Sequence, residues 1–200
     1  FESFDDLWKS WEKNIAYYTR LSVALDVLAD THLEELPDIL CSSLIDSCIE
    51  RGKTAKEGGA KYDIIAGLQV GLSNAANAMY ALKKTVFEDK VLTKEEVFEA
   101  LKNNFEGIDG ERVRNILLNV PKYGNDIEEA DELANDLYEF VAKGNRDRGL
   151  KKGMDYFLIV ISNNQTNTEW GRKTSASLDG RYSGQFMNPA NNPQGGADKN

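Results

Sequence analysis

Residues 48–62, CIERGKTAKEGGAKY, are the stretch that decides how this chain folds. Gly52 predicts the end of a helix, because glycine is favoured just after the last helical residue. Gly58 and Gly59 then predict a tight turn, since glycine adopts backbone angles that other residues avoid. The turn lacks the Gly-x4-Gly-Lys-Ser/Thr spacing of a phosphate loop. We therefore interpret these glycines, and Tyr62 after them, as structural.

Helical periodicity dominates on both sides of this turn. Apolar residues at spacings of three and four predict a long amphipathic helix over 4–30, with Tyr18 and Leu21 on its inner face. A second helix is expected from Pro37 to Gly52, with these side chains inward: Ile39, Leu40, Leu44, Ile45 and Cys48. Further helices are predicted over 73–88, 93–105 and 110–119, and from Asn125 or Asp126 to about Lys143. The helix over 93–105 begins with a capping box, Thr93 to Glu96, and Gly107 is expected to end it.

The pattern changes at residues 156–162, YFLIVIS. A continuous apolar run between helix-breaking residues is typical of a buried strand. The polar run 162–168 that follows has two interpretations: a pocket wall at the end of a strand, or a solvated loop. Turns are predicted over 170–173 and 179–181, and residues 186–200 show no core stripe.

Composition excludes several classes of function. With 24 basic and 33 acidic residues, the net charge is −9, which disfavours nucleic-acid and membrane-surface partners. No apolar run approaches the ~20 residues that span a bilayer. His32 and two cysteines do not supply the four closely spaced ligands of a zinc site. Cys41 and Cys48 would lie about 10 Å apart on a helix, too far for a disulfide, which favours a reducing, cytoplasmic location.

Four stretches in consistent order resemble the glycyl radical enzymes, the family of pyruvate formate-lyase. They are residues 48–62, residues 71–84 (GLSNAANAMYALKK), residues 121–126 (PKYGND) and residues 177–181 (SLDGR) with Gly184. The resemblance covers nearly the whole chain.

The resemblance implies an α/β fold: a ten-stranded barrel of two antiparallel half-barrels, wrapped by helices. It implies an anaerobic lyase or formate acetyltransferase acting on a small-molecule substrate. It further implies a backbone glycyl radical, installed by a separate radical-SAM activating enzyme, and a thiyl radical on a cysteine. A homodimer is an option that the family offers.

The radical residues of that family are missing from these 200 residues. Cys48 lies in Ser-Cys-Ile-Glu rather than the family's Gly-Cys-x-Glu type loop, and no Arg-Val-x-Gly-Tyr type motif occurs. Residues 182–189 also lack the Leu-Ala-Asp-Gly run of diol-dehydratase-like members, so the substrate subclass stays open. We expect an internal segment, truncated at both ends: mostly helical shell over 1–150, then a barrel strand and a turn-rich tail over 151–200. It should hold no catalytic residue and bind no cofactor.

Two sets of site residues follow from this interpretation. Asn163 and Asn164, at the end of the predicted strand, are expected to face the substrate cavity. The structural set comprises Gly58, Gly59, Tyr62, Asp179, Gly180 and Arg181. Asp179 and Arg181 are expected to fix a turn through a charge-assisted hydrogen bond. The alternative is a free-standing, non-catalytic helical interaction protein derived from the same fold, which would unfold cooperatively on its own.

Overall fold

A computed structural model describes residues 1–62, 64–151, 156–161 and 164–194, without the side chains of 64–68, 156–161 and 164. The described chain is mostly helical. Its α-helices are α1 (Phe4–Glu34), α2 (Ile39–Ser43), α3 (Cys48–Arg51), α4 (Leu72–Leu82), α5 (Lys94–Lys102), α6 (Gly107–Asn119), α7 (Glu128–Lys151) and α8 (Asn164–Arg172). Two π-helical turns, π1 (Ala55–Gly59) and π2 (Lys83–Glu88), and two strands, β1 (Ile64–Gln69) and β2 (Tyr156–Ile161), complete the order. Within the described residues, no helix is long and apolar enough to cross a membrane.

The chain forms two compact units that interleave along the sequence. The first unit comprises Phe1–Lys9, Gln69–Glu139 and Ile161–Asn200, and the second comprises Ser10–Leu68 and Phe140–Val160. Helices α1 and α7 each contribute residues to both units.

The main hydrophobic cluster lies in the first unit, between π2, α5 and α6. Its buried members are Ala81, Val86, Leu92, Val97, Ala100, Phe105, Val113 and Leu117. Helix α5 presents its apolar face there because it begins where the sequence predicts. The Thr93 hydroxyl accepts a hydrogen bond from the Glu96 amide at 3.1 Å, and the Glu96 carboxylate accepts one from the Thr93 amide at 2.8 Å. This is the predicted capping box, and it satisfies two otherwise unpaired amides.

The prediction for the end of α5 is wrong by three residues. The helix ends at Lys102, and Asn104 and Phe105 take left-handed backbone angles, with φ of 54° and 60°. Gly107 begins α6 instead of ending α5, because the left-handed pair has already reversed the chain. Helix α6 approaches this pair closely at Gly110, where a Cβ would lie 2.5 Å from the Phe105 carbonyl carbon.

Helix α7 begins later and runs further than predicted. Neither Asn125 nor Asp126 caps it, since the first carbonyl to accept helical amides is that of Ile127, from Ala130 and Asp131 at 3.0 Å each. The helix continues past Lys143 to Lys151. The helix predicted over 73–88 is also present, as α4 followed directly by the π-helical segment π2.

In the second unit, α1 buries only part of the predicted stripe. Thr19, Val23 and Asp30 are its buried residues, and the rings of Trp11 and Phe140 lie 5.5 Å apart. Tyr18 and Leu21 are exposed, so their predicted inward placement is wrong. A row of residues at spacings of three and four drifts slowly round a long helix. The buried face of α1 is therefore the one that carries residues 19, 23 and 30.

The helix predicted from Pro37 to Gly52 is broken into two short helices. The Asp38 carboxylate caps α2 by accepting from the Cys41 amide at 2.9 Å, and Ser47 then takes a left-handed φ of 74°. This break ends the common helical stripe, so of the five side chains expected inward only Cys48 is buried. Ile39, Leu40, Leu44 and Ile45 are exposed.

The two strands form one two-stranded sheet in which β1 pairs with β2. The strand predicted over 156–162 is present as Tyr156–Ile161, and Ser162 lies outside the described residues. Helix α8 begins at Asn164, within the polar run for which a pocket wall or a solvated loop was predicted, and it includes Trp170 and Arg172. The predicted turn therefore begins only at Lys173, whose amide donates to the Trp170 carbonyl at 3.1 Å.

Candidate functional site

The site is built around a tight turn, residues 177–181, in the first unit. The Ser177 amide donates to the Arg181 carbonyl and the Gly180 amide donates to the Ser177 carbonyl, each at 3.0 Å. Gly180 has a φ of +89°, and a Cβ there would lie 2.5 Å from Leu118 Cδ2. Glycine is required at this position for its left-handed backbone and for the close approach to α6.

Asp179 is fully buried at this turn. Its carboxylate accepts hydrogen bonds from the Ser177 hydroxyl and from Asn74 Nδ2, the latter at 2.6 Å. Buried carboxylates are stable only with such donors or with an opposite charge. Asn74 comes from α4, 105 residues earlier in the chain.

Arg181 holds the other side of the turn. Its guanidinium donates to the carbonyls of Tyr182 (3.1 Å), Gln185 (2.8 Å) and Ser175, and to the Ser177 hydroxyl at 3.1 Å. Burial lowers the pKa of Arg181, and the charge of Asp179 opposes that shift. Asp179 and Arg181 both bind the Ser177 hydroxyl, and their predicted role in fixing the turn stays a prediction.

Lys122 supplies a second cation beside Asp179. Its ammonium is buried and donates to the carbonyls of Leu117 and Val120, at 2.6 and 2.9 Å. These carbonyls lie at the end of α6, where helical partners run out. Burial lowers the pKa of Lys122 to about 8, and the Asp179 charge partly offsets this.

Two asparagines of α4 tie three distant segments together. Asn74 Oδ1 accepts from the Asn188 amide and Asn77 Oδ1 accepts from the Tyr123 amide, each at 2.8 Å. Asn77 Nδ2 also donates to Gln194 Oε1 at 3.3 Å. Three of the four motif stretches, at 71–84, 121–126 and 177–181, therefore meet in one buried network.

A small groove lies beside this network on α4 and α7. Its volume is about 220 Å³, and its lining residues are Leu72, Ser73, Ala76, Tyr123, Ala134, Asn135, Tyr138 and Asn191. The polar groups that line it are amides and hydroxyls, which can orient a neutral polar group. The residues that line the groove include no carboxylate and no imidazole, and in the network the Ser177 hydroxyl donates to the Asp179 carboxylate within the turn. The arrangement can position backbone and side chains.

The fourth motif stretch, at 48–62, forms a separate turn in the second unit. Arg51 donates to the carbonyls of Gly58 and Ala60, at 3.2 and 3.0 Å. Gly58 has a φ of 82°, and a Cβ on Gly59 would collide with the Lys53 carbonyl. This geometry favours glycine at both positions, and their structural role stays a prediction. Tyr62 is exposed, and the Lys61 ammonium lies 5.7 Å from its ring centre.

Of the two residues predicted to face a pocket, the structure describes only Asn164, and only its backbone. Asn163 lies outside the described residues, and Asn164 is the first residue of α8, with its side chain outside the description. Asn167 belongs to the same polar run, but it was not among the two residues selected from it. Asn167 is buried and its Nδ2 donates to the Met187 carbonyl at 2.7 Å. Its Oδ1 is the one buried side-chain polar atom without a partner among the described residues. No local sequence pattern indicates that this asparagine is buried on its helix.

No metal site or reactive cysteine emerges from the described part of the chain. No group of three or more His, Cys, Asp or Glu residues there could hold a metal ion. Cys48 is buried at the start of α3, and Cys41 is exposed with its thiol pKa raised, foremost by Asp38. A raised pKa is the opposite of what activates a thiol.

With this geometry established, comparison with known proteins defines the class. A family model, pyruvate formate lyase-like, matches residues 1–167, and the chain belongs to this family. A probable dehydratase of Escherichia coli (strain K12), YbiW, is 38% identical over 99% of this chain. A trans-4-hydroxy-L-proline dehydratase of Clostridioides difficile is 28% identical over all of it. The chain spans 25% of the length of each of these two relatives.

Solved structures give the same result for the fold. The chain superposes over its whole length on a B12-independent glycerol dehydratase from Clostridium butyricum, with a TM-score of 0.87 and 31% identity. It also superposes on a Roseburia inulinivorans protein whose structure concerns 1,2-propanediol dehydration, with a TM-score of 0.88 and 33% identity. The chain covers 25% and 26% of those two chains. The resemblance noted in the sequence is therefore confirmed, and this chain has the fold of one segment of a glycyl radical enzyme.

Proposed function

We propose that these 200 residues are a scaffold segment of a glycyl radical lyase that acts on a small hydroxylated metabolite. The supporting observation is that the whole chain superposes on about a quarter of such an enzyme, while in its described part every buried side-chain polar atom except Asn167 Oδ1 has a hydrogen-bond partner. A segment of this kind holds the shape of a larger active site. The relatives named as dehydratases favour elimination of water; a formate acetyltransferase remains the second option.

The radical chemistry belongs to other parts of that protein. The two cysteines of this chain do not fit the thiyl role, because neither lies in the Gly-Cys-x-Glu type loop of the family. The parent would carry its glycyl radical elsewhere, installed by a radical-SAM activating enzyme, and would work in the cytoplasm, where both thiols stay reduced. A homodimer is part of this proposal.

Within the parent, β2 is assigned to the barrel wall and the helices of 1–150 to its shell. Asn163 and Asn164 are assigned to the cavity lining, since they follow the end of β2 closely in the sequence and α8 begins at Asn164. Ligands commonly bind beyond the carboxyl ends of strands in α/β folds. The amides would orient substrate hydroxyl groups and take no part in proton transfer.

The test requires the full reading frame that contains these residues. The full-length protein, expressed without oxygen together with its activating enzyme, should show a glycyl radical by electron paramagnetic resonance. It should convert at least one of glycerol, 1,2-propanediol or trans-4-hydroxy-L-proline. A frame that encodes only these residues, or a full-length protein without a radical, would favour the free-standing interaction protein.

The pocket assignment has its own variants. Asn163→Ala and Asn164→Ala should raise KM roughly tenfold or more, the loss expected when a buried hydrogen bond to substrate is removed. Gln165→Ala, one residue further into α8 and exposed, is the matched control and should leave KM within twofold. Equal KM values for all three variants would contradict the assignment.

A further inference from the structure

Helix α1 carries a second apolar face that nothing in the described chain covers. Its inner face, Thr19, Val23 and Asp30, is buried in the second unit. A second row, which we call the outer stripe, consists of Tyr18, Leu21, Leu25 and Leu28. Their exposures are 62%, 46%, 57% and 55%.

The outer stripe lies nearly opposite the inner face. At 3.6 residues per turn, its centre falls roughly 160° round the helix from the centre of the buried row. A surface helix places polar residues there, whereas a helix that is apolar on two opposite sides is packed between two layers. The stripe also contains no charge, in a chain whose net charge is −9.

Its spacing indicates what kind of element fits. Positions 18, 21, 25 and 28 follow the three-four-three pattern with which one helix packs along another. The same unit also has open backbone positions, because β1 and β2 pair only with each other in the described residues. A two-stranded sheet is marginally stable alone and offers an unpaired edge on each side.

We propose that the outer stripe is the docking face for an apolar helix from a part of the same polypeptide outside these 200 residues. This rests on the proposed function. The relatives are about four times as long as this chain, and it keeps their fold over its whole length. The four side chains, about half exposed, offer on the order of half the ~800 Å² that each partner of a stable dimer buries. A second copy of the chain is therefore the poorer occupant.

The test measures cysteine reactivity in the full-length protein. Leu25→Cys, Leu28→Cys and the control Ala24→Cys are made in a Cys41→Ser background, since Cys41 is the exposed cysteine of this chain. Ala24 is exposed and lies off the stripe on the same helix. Labelling by a maleimide is followed peptide by peptide with mass spectrometry, in the native protein and in guanidinium. Circular dichroism checks that each variant folds, and the second stripe position serves if the first does not.

The expected result is that both stripe cysteines react at least tenfold more slowly in the native protein than in guanidinium, independently of protein concentration. The cysteine of Ala24→Cys should be less protected from the maleimide than the cysteine at position 25 or 28. Protection of less than tenfold at the stripe cysteines would overturn the proposal. Protection that disappears when the protein is diluted would also overturn it, because it would show that a second copy of the chain covers the stripe. Radical formation is read separately, so an active enzyme with a reactive stripe would refute only the docking face. A reading frame limited to these residues would refute both.

Discussion

Asp179 is fully buried, and the local residues explain why the fold tolerates a carboxylate there. Two neutral donors, Ser177 and Asn74, bind its oxygens, and the cations of Lys122 and Arg181 act on it electrostatically. Removing one partner of a buried charge costs far more than an exposed ion pair contributes. The residues of this network therefore act as a group.

Gly180 gives the sharpest test of the turn. Gly180→Ala should lower the free energy of unfolding by about 2–4 kcal/mol, because it adds left-handed strain and a collision with Leu118. Gly184 has a similar φ of +79° with open space around it, so Gly184→Ala should cost only about 1 kcal/mol. Urea denaturation compares the two. Equal losses would show that the close approach to α6 contributes nothing.

Lys122 predicts an unusual pH dependence. Its pKa is about 8 in the folded chain against its usual 10.5, so between these values the unfolded chain binds more protons. Its contribution to the free energy of unfolding should therefore rise as pH increases from about 8 towards 10.5. Urea titrations at several pH values measure this slope. Lys122→Met should remove it, while Lys102→Met, on the exposed end of α5, should leave it intact.

At the scale of elements, one carboxylate links α4 and π2 to α7. Glu129 accepts hydrogen bonds from Lys83 at 2.7 Å, Tyr80 at 3.1 Å and Lys84 at 3.4 Å. The Lys83 hydrogen bond, above all, lowers the pKa of Glu129 to about 2, and burial raises that of Tyr80 to about 12. The cluster fixes the position of α4 and π2 relative to α7, and no local sequence pattern predicts that these elements meet.

This cluster predicts an acid-sensitive contact. Its stabilisation is complete above the usual carboxyl pKa of 4.5 and should be lost as pH falls towards 2, because the folded pKa is the lower one. Thermal melts between pH 2.5 and 6 should show a shallower acid dependence for Glu129→Gln. Glu128→Gln changes the neighbouring exposed acid and should retain the wild-type profile. Identical profiles for both variants would exclude Glu129 as the source.

At the scale of the whole molecule, two described segments, one from each unit, differ in how many apolar side chains they bury. Segment 97–117 of the first unit buries Val97, Ala100, Phe105, Val113 and Leu117, whereas segment 39–51 of the second exposes Ile39, Leu40, Leu44 and Ile49. Local stability follows the amount of buried apolar contact. The two segments should therefore differ in protection from solvent.

Hydrogen exchange tests this difference directly. Peptides from 97–117 should exchange at least a hundredfold more slowly than peptides from 39–51, because the latter have few buried contacts. The comparison uses the 200-residue chain, with mass spectrometry over seconds to hours. Equal protection of the two segments would mean that the second unit is stabilised by contacts other than apolar burial.

The sequence by itself determined what depends on near neighbours. The Thr93 capping box, the strand Tyr156–Ile161 and the glycine turn at 58–59 were predictable because caps, apolar runs and turn residues act within a few positions. The motif stretches also identified the family. Boundaries were less predictable: the break at Ser47 and the left-handed pair at Asn104 and Phe105 carry no glycine to mark them.

Only the tertiary structure decided which distant residues meet and which faces are buried. The bond from Asn74 to Asp179 joins residues 105 apart, and neither residue type in its local pattern predicts the other. Likewise, periodicity showed that α1 is amphipathic, but it placed Tyr18 and Leu21 inside, where the fold leaves them exposed. A pattern specifies an apolar face, whereas the partner that covers this face is set by packing between distant parts of the chain.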